Sequence, residues 1–376
     1  MQGQQRSLLI ILILLALLIA FGSAAAPYTP SAPSQIVAKW DKAASEKNQH
    51  LNLQQRLEKA AWHIQQGQYA GQANQHFGRA RAILAPLFTP NQPNQLSPAN
   101  PLTHSHALYL WARVLQHQHQ FALAQQALEQ AIDLDNNNLA AVLLHANVLL
   151  AQGDTQQSKQ SCGQLLGKAD LLITAACMLE VSANQNKLAD SYAQIQQLLR
   201  HKNKLKHHQQ QDWLAQLAAE MALRLGKASE AAEWLDWVID NEQSLAQKPL
   251  SFIALWADVQ LSLKQADKVL SQLSRIIEQA GFKDDALLVR LSLAEQFTSA
   301  THWQSLLAQR IELRLARQDT FHSADLARYY LDIKPDANLA LHWAQINWQQ
   351  TKLYDDKQLL NRALMMQNSA TSPSDT

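Results

Sequence analysis

The side chains in this sequence that could carry chemistry are few and poorly grouped for it. Two histidine pairs, His104-x-His106 and His117-x-His119, have the local spacing of metal ligands. On one helix they stand about 13 residues, or roughly 20 Å, apart and cannot share an ion. No cluster of Cys, Asp and His at ligand spacing accompanies them, so they read as solvated histidines at turns, and no metal or cofactor is expected. The sequence holds no H-E-x-x-H motif, no Gly-rich phosphate loop and no Ser, His and Asp arrangement. Without these, hydrolase and kinase chemistry have no motif to rest on, and the expectation is a protein that is not an enzyme and has no small-molecule substrate. A basic run, Arg200, Lys202, Lys204, Lys206, His207 and His208, is either a solvated loop or a contact for a lipid headgroup or acidic partner.

The elements that would position these residues are helices. With 10 Gly and 11 Pro in 376 residues the chain is far below the usual ~7% and ~5%, and an all-β fold could not make its turns. Hydrophobic residues at 47% exclude global disorder, and charged residues at 17% leave solvation to Gln, Asn, Ser and His. Lys and Arg (32) balance Asp and Glu (31), which removes the electrostatic case for nucleic-acid binding.

Arg6 precedes the unbroken apolar run Leu8 to Phe21, and Gly22, Ser23, Ala24, Ala25 and Ala26 lead into Pro27. Residues 1–26 therefore read as an export signal. Gly22-x-Ala24 and Ser23-x-Ala25 fit signal cleavage, whereas residues 8–26 span about 28 Å as a helix, close to the ~30 Å of a bilayer core. The preferred reading is a retained anchor, a single pass in the inner membrane with the rest periplasmic; the alternative is a soluble periplasmic chain after cleavage. Residues 27–35, with Pro27, Pro30 and Pro33, form a Pro/Ser spacer.

Beyond the spacer the sequence repeats. Between Ser105 and Asn138 two amphipathic segments occupy 34 residues, with Trp111-Ala112 and Leu115 on the first and Phe121, Ala124, Leu128, Ala131 and Ile132 on the second. A step of 34 residues later come Ala146, Leu149 and the turn Gln152-Gly153-Asp154. Trp256-Ala257 and Trp343-Ala344 repeat the large-small pair, which assigns these tryptophans to packing. The pattern resembles the tetratricopeptide repeat family. That resemblance implies an all-α solenoid of about eight helical hairpins in a right-handed superhelix, each contacting its neighbours. Residues 36–87 are an N-terminal hairpin, 88–102 a Pro-rich insertion, 103–364 the repeats and 365–376 a disordered tail; residues 318–336 leave the period and read as a lone helix ending at Pro335.

In the superhelix that the resemblance implies, the first helix of each hairpin lines a concave groove that binds segments of other proteins. The residue after each small position then faces the groove: Arg113, Asn147, Glu180, Glu220, Asp258, Glu295 and Gln345, with Trp213 and Trp348 as apolar anchors. Four successive carboxylates favour a ligand segment bearing Lys or Arg, against the alternative of solvated polar residues on an exposed face. Cys162 and Cys177, the only cysteines, fall on facing helices of adjacent hairpins, either bridged or two small buried hydrophobes. The function implied is a membrane-tethered scaffold or adaptor in envelope assembly; the alternative is a permanent structural subunit of a larger envelope complex.

Overall fold

The computed structural model describes residues 51–88, 100–200, 208–239, 242–281 and 284–371. The export signal, the spacer, most of the Pro-rich insertion and Lys202 to His207 of the basic run lie outside them. All regular structure among the described residues is helical, arranged as a helical-hairpin solenoid. The hairpins, in chain order, are α1 (Leu53–Gln66) with α2 (Ala73–Phe88), α3 (Pro101–His117) with α4 (Phe121–Leu134), α5 (Leu139–Ala151) with α6 (Thr155–Gly163), and α7 (Leu171–Ala183) with α8 (Leu188–Leu198). They continue with α9 (His208–Arg224) and α10 (Ala228–Asp236), then, after the single turn α11 (Glu242–Leu245), α12 (Leu250–Ser262) with α13 (Ala266–Ala280) and α14 (Asp285–Glu295) with α15 (His302–Ala316). The segment that leaves the period is α16 (Ser323–Arg328), which widens into a π-helical turn over Tyr329–Ile333, and α17 (Ala337–Gln350) with α18 (Tyr354–Thr371) closes the array. The last helix runs through residues expected to be a disordered tail, and Pro101 opens α3 instead of ending the insertion.

Local chemistry explains these boundaries. Asn52, Asn100, Asn138, Asp154 and Asp336 each accept a hydrogen bond from the backbone N–H three residues on, satisfying an orphan donor of the helix that follows. The turn inside a hairpin is a recurring Schellman motif. In five hairpins and after α15, an amide reaches back five residues to a carbonyl of the preceding helix, as in Gln120 to Leu115, Asp154 to Leu149 and Lys227 to Ala222. Its left-handed position is glycine at Gly153 and Gly226 but His119, Asn186, Lys264 and Gln318 elsewhere. The chain thus makes its turns with little glycine.

Packing follows the repeat at first: separate small cores join α1 to α3, α3 to α5 and α5 to α7, and one continuous core runs from α7 to α18. Then the array closes on itself. The turn between α1 and α2 reaches hairpins far along the chain: Leu250 N donates to the Gln68 carbonyl at 2.7 Å, Gly71 N donates to the Asp284 carboxylate, and Ala70 joins the large core. A second closure is aromatic. His117 stacks on Phe77 with ring centroids 3.7 Å apart and meets Phe321 edge-on at 5.8 Å, while His119 lies 4.9 Å from Phe321. These two histidines are therefore not solvated as the sequence suggested; burial holds His117 down at about 4, so its ring is neutral at pH 7. No helix among the described residues is long and apolar enough to cross a membrane, and residues 8–26 lie outside them.

Candidate peptide-binding face

Each hairpin's first helix ends in carbonyls with no partner inside the helix. Stacking brings the ends of α3, α5, α7 and α9 into a row, and the chain's own residues 350–355 cross that row in order. Thr351 is extended (φ −133°, ψ 144°). His119 Nδ1, just past α3, lies 3.2 Å from the Gln350 amide oxygen. Lys352 N donates to the carbonyl of Ala151, the last residue of α5, at 2.7 Å. Tyr354 N donates to Oδ1 of Asn184, which caps α7, at 3.1 Å, and the same amide is oriented by donating Nδ2 to the Glu180 carbonyl at 2.9 Å. Arg224, the last residue of α9, pairs with Asp355 at 2.9 Å and lies over the Tyr354 ring at 5.2 Å. Alternate backbone amides thus bond to the row, and Leu353 between them packs on the cluster of Val142, Cys177 and Val181. Asp356 fixes the bend, accepting from Leu353 N at 3.0 Å and from Asn347 Nδ2 at 2.7 Å.

Beneath this segment Cys162 on α6 and Cys177 on α7 form a disulfide with Cα atoms 5.7 Å apart, the first of the two readings the spacing left open. It ties the third hairpin to the fourth in the core that receives Leu353.

The predicted groove residues do not assemble into one acidic surface. Arg113 donates to the Tyr109 hydroxyl at 3.1 Å, and Asn147 is exposed, accepting from Gln116 at 2.9 Å. Glu180 and Glu220 are half-buried beside Arg224. Burial and the Glu220 charge push Glu180 up to about 7, and burial raises Glu220 as well. Asp258 is held between Arg290 and Arg328, the latter at 2.9 Å; burial pushes its carboxyl up, but the two guanidiniums outweigh this and leave it below the usual range. Glu295 is 1% exposed and accepts the amides of Trp303 and Gln304 at 3.0 and 2.9 Å, capping α15, so it cannot meet a ligand. Gln345 is exposed, Trp213 packs against the large core, and the Trp348 ring is covered by the Lys352 ammonium at 4.7 Å. The cations facing the carboxylates are the chain's own Arg224, Arg290 and Arg328, in the place expected for a ligand's Lys or Arg.

Sequence reasoning missed Ala151, Asn184 and Arg224 as contacts. Asn and Arg at first-helix ends were the available signal, since both can serve a helix C-terminus, but nothing in the repeat announces that residues 350–355 return to meet them.

No family model matches the chain, and no curated protein matches it in sequence. Among solved structures, a tetratricopeptide repeat protein from Parabacteroides merdae is similar over 69% of this chain and 99% of its own, at 12% identity and a TM-score of 0.41. The hairpin architecture rests on the turns and packing above and not on that likeness.

Proposed function

We propose that this chain is a protein-interaction scaffold, held at a membrane by residues 8–26 with its helical array on the exported side, where it takes part in envelope assembly. The observation that carries the reading is the row of first-helix ends, which holds an extended stretch of polypeptide through backbone hydrogen bonds and one apolar side chain. A surface that accepts main-chain donors in register suits recognition of a partner's extended segment. The Cys162–Cys177 bridge suits an oxidising compartment, and the apolar run Leu8 to Phe21 suits export into one.

Two experiments test it. A photo-crosslinking residue at exposed Asn147, beside the row, should give a discrete protein adduct in intact cells, and the same residue at exposed Lys159 on α6 should not. Adducts at Lys159 alone, or at neither position, would refute the scaffold role at this face. Alkaline phosphatase fused after Thr376 should be active; an inactive fusion would place the array in the cytoplasm and overturn the exported location.

A further inference from the structure

The residues at the row define what would bind there. Arg224 has 12% of its side chain exposed, and its Nη2 reaches the Asp355 carboxylate. Its Nε is buried and makes no hydrogen bond. A guanidinium fork engages a carboxylate best through two parallel N–H groups, so the pair seen here leaves half of the fork unmet. Asp355 keeps 66% of its side chain exposed, and an ion pair so open to water holds weakly. The remaining contacts are main-chain amides on the Ala151 carbonyl and the Asn184 amide, which any extended chain can supply. Leu353 is chosen by the apolar floor over the disulfide, and Tyr354 by the Arg224 guanidinium 5.2 Å from its ring.

We infer that this row is a recognition site for a partner segment of the pattern apolar–aromatic–acidic that runs from an extended stretch into a helix start, that residues 353–355 occupy it in cis at the start of α18, and that Arg224 is its anchor. The inference rests on the scaffold reading and gives that face a ligand chemistry opposite in charge to the basic segment the acidic positions suggested. A partner whose acid reaches both Nε and Nη2 binds more tightly than the chain's own Asp355. Because the cis segment is covalently attached, it competes at high effective concentration and sets a threshold for the partner.

The test uses the full chain with Leu353→Asp and Tyr354→Ser, which loosens the cis segment, and a fluorescent peptide of residues 349–357 read by anisotropy. The loosened chain should bind the peptide at least about tenfold more tightly than the unaltered chain, and adding Arg224→Gln should reverse that gain. A peptide with Glu in place of Asp355 should bind more tightly than the native one, and both should weaken with salt. A loosened chain of unchanged helicity that ignores the peptide, or that binds it equally with Arg224→Gln, overturns the inference. Should the loosened chain not fold, the unaltered chain decides: excess peptide should speed hydrogen exchange at the Lys352 and Tyr354 amides, and no change contradicts the proposal. Crosslinking at Asn147 is read separately, so adducts there with failure here would sink the ligand chemistry and leave the scaffold role standing.

Discussion

Glu180 and Glu220 on α7 and α9 occupy the same repeat position as Asp258 on α12, yet the two regions handle their charge in opposite ways. Asp258 is ionised between Arg290 and Arg328, with Arg328 supplied by the irregular α16. Glu180 and Glu220 share the single Arg224, which is already paired with Asp355, and Glu180 is pushed up to about 7 by burial and by its neighbour. Repeat position fixes where a side chain emerges; what the chain brings opposite fixes its charge state. Opposite α12 stand Arg290 on α14 and Arg328 at the end of α16, and opposite α7 and α9 stands the start of α18, which brings the Asp355 carboxylate.

The largest effect should come from breaking the closed network. Asp258→Asn removes the one carboxylate that bonds both guanidiniums, leaving Asp325 as their remaining shared counter-charge, and should cost about 3–5 kcal/mol in urea unfolding; a loss below ~1 kcal/mol would mean that Asp325 takes over both arginines. Next is the disulfide. Reducing a bridge that closes a separation of 15 residues should lower stability by about 3 kcal/mol in the chain-entropy model. Hydrogen exchange should rise in α5 to α8 and not in α12 to α15, and a uniform rise would show the two regions to be one cooperative unit.

The repeat, the hairpin count and the departure at residues 318–336 were legible because they are local. Trp-Ala pairs, Asn and Asp at helix starts and a turn every 34 residues or so each act within one or two hairpins. Ala112, the small member of the first Trp-Ala pair, is fully buried, as are Ala124 and Ala131. Closure was not legible, since it joins residues far apart: Gln68 to Leu250, Phe77 and His117 to Phe321, Ala151 to Lys352. Glu295 shows the same limit. Its repeat phase placed it on the inner face, but the irregular turn after α14 brings the α15 amides to it.

A smaller effect depends on pH. The folded protein binds a proton at Glu180 more tightly than the unfolded chain does, so this stability is fully present below about pH 4.5 and is lost as pH rises through about 7. Glu180→Gln cannot ionise and should be about 1–2 kcal/mol more stable than the parent at pH 8 and equal to it at pH 4. Equal stability at both pH values would mean that Glu180 is solvated like an ordinary carboxylate. The smallest change concerns the turns. Lys264 is exposed and sits at φ 60°, so Lys264→Gly should stabilise by about 0.5–1 kcal/mol, where Gly in place of a residue with ordinary φ would destabilise. Thermal melts of the variant and parent check it.

The chain's own residues 351–355, extended and then entering α18, lie on the first-helix ends of the early hairpins. Residue-resolved hydrogen exchange on the full chain tests this placement most directly, at the amides of Lys352 and Tyr354. Both donate to the row, to the Ala151 carbonyl and the Asn184 side chain. They should exchange together and slowly, with protection that falls when Arg224→Gln removes the anchor at Asp355. Exchange at the rate of an open peptide at both amides, in the unaltered protein, would contradict it.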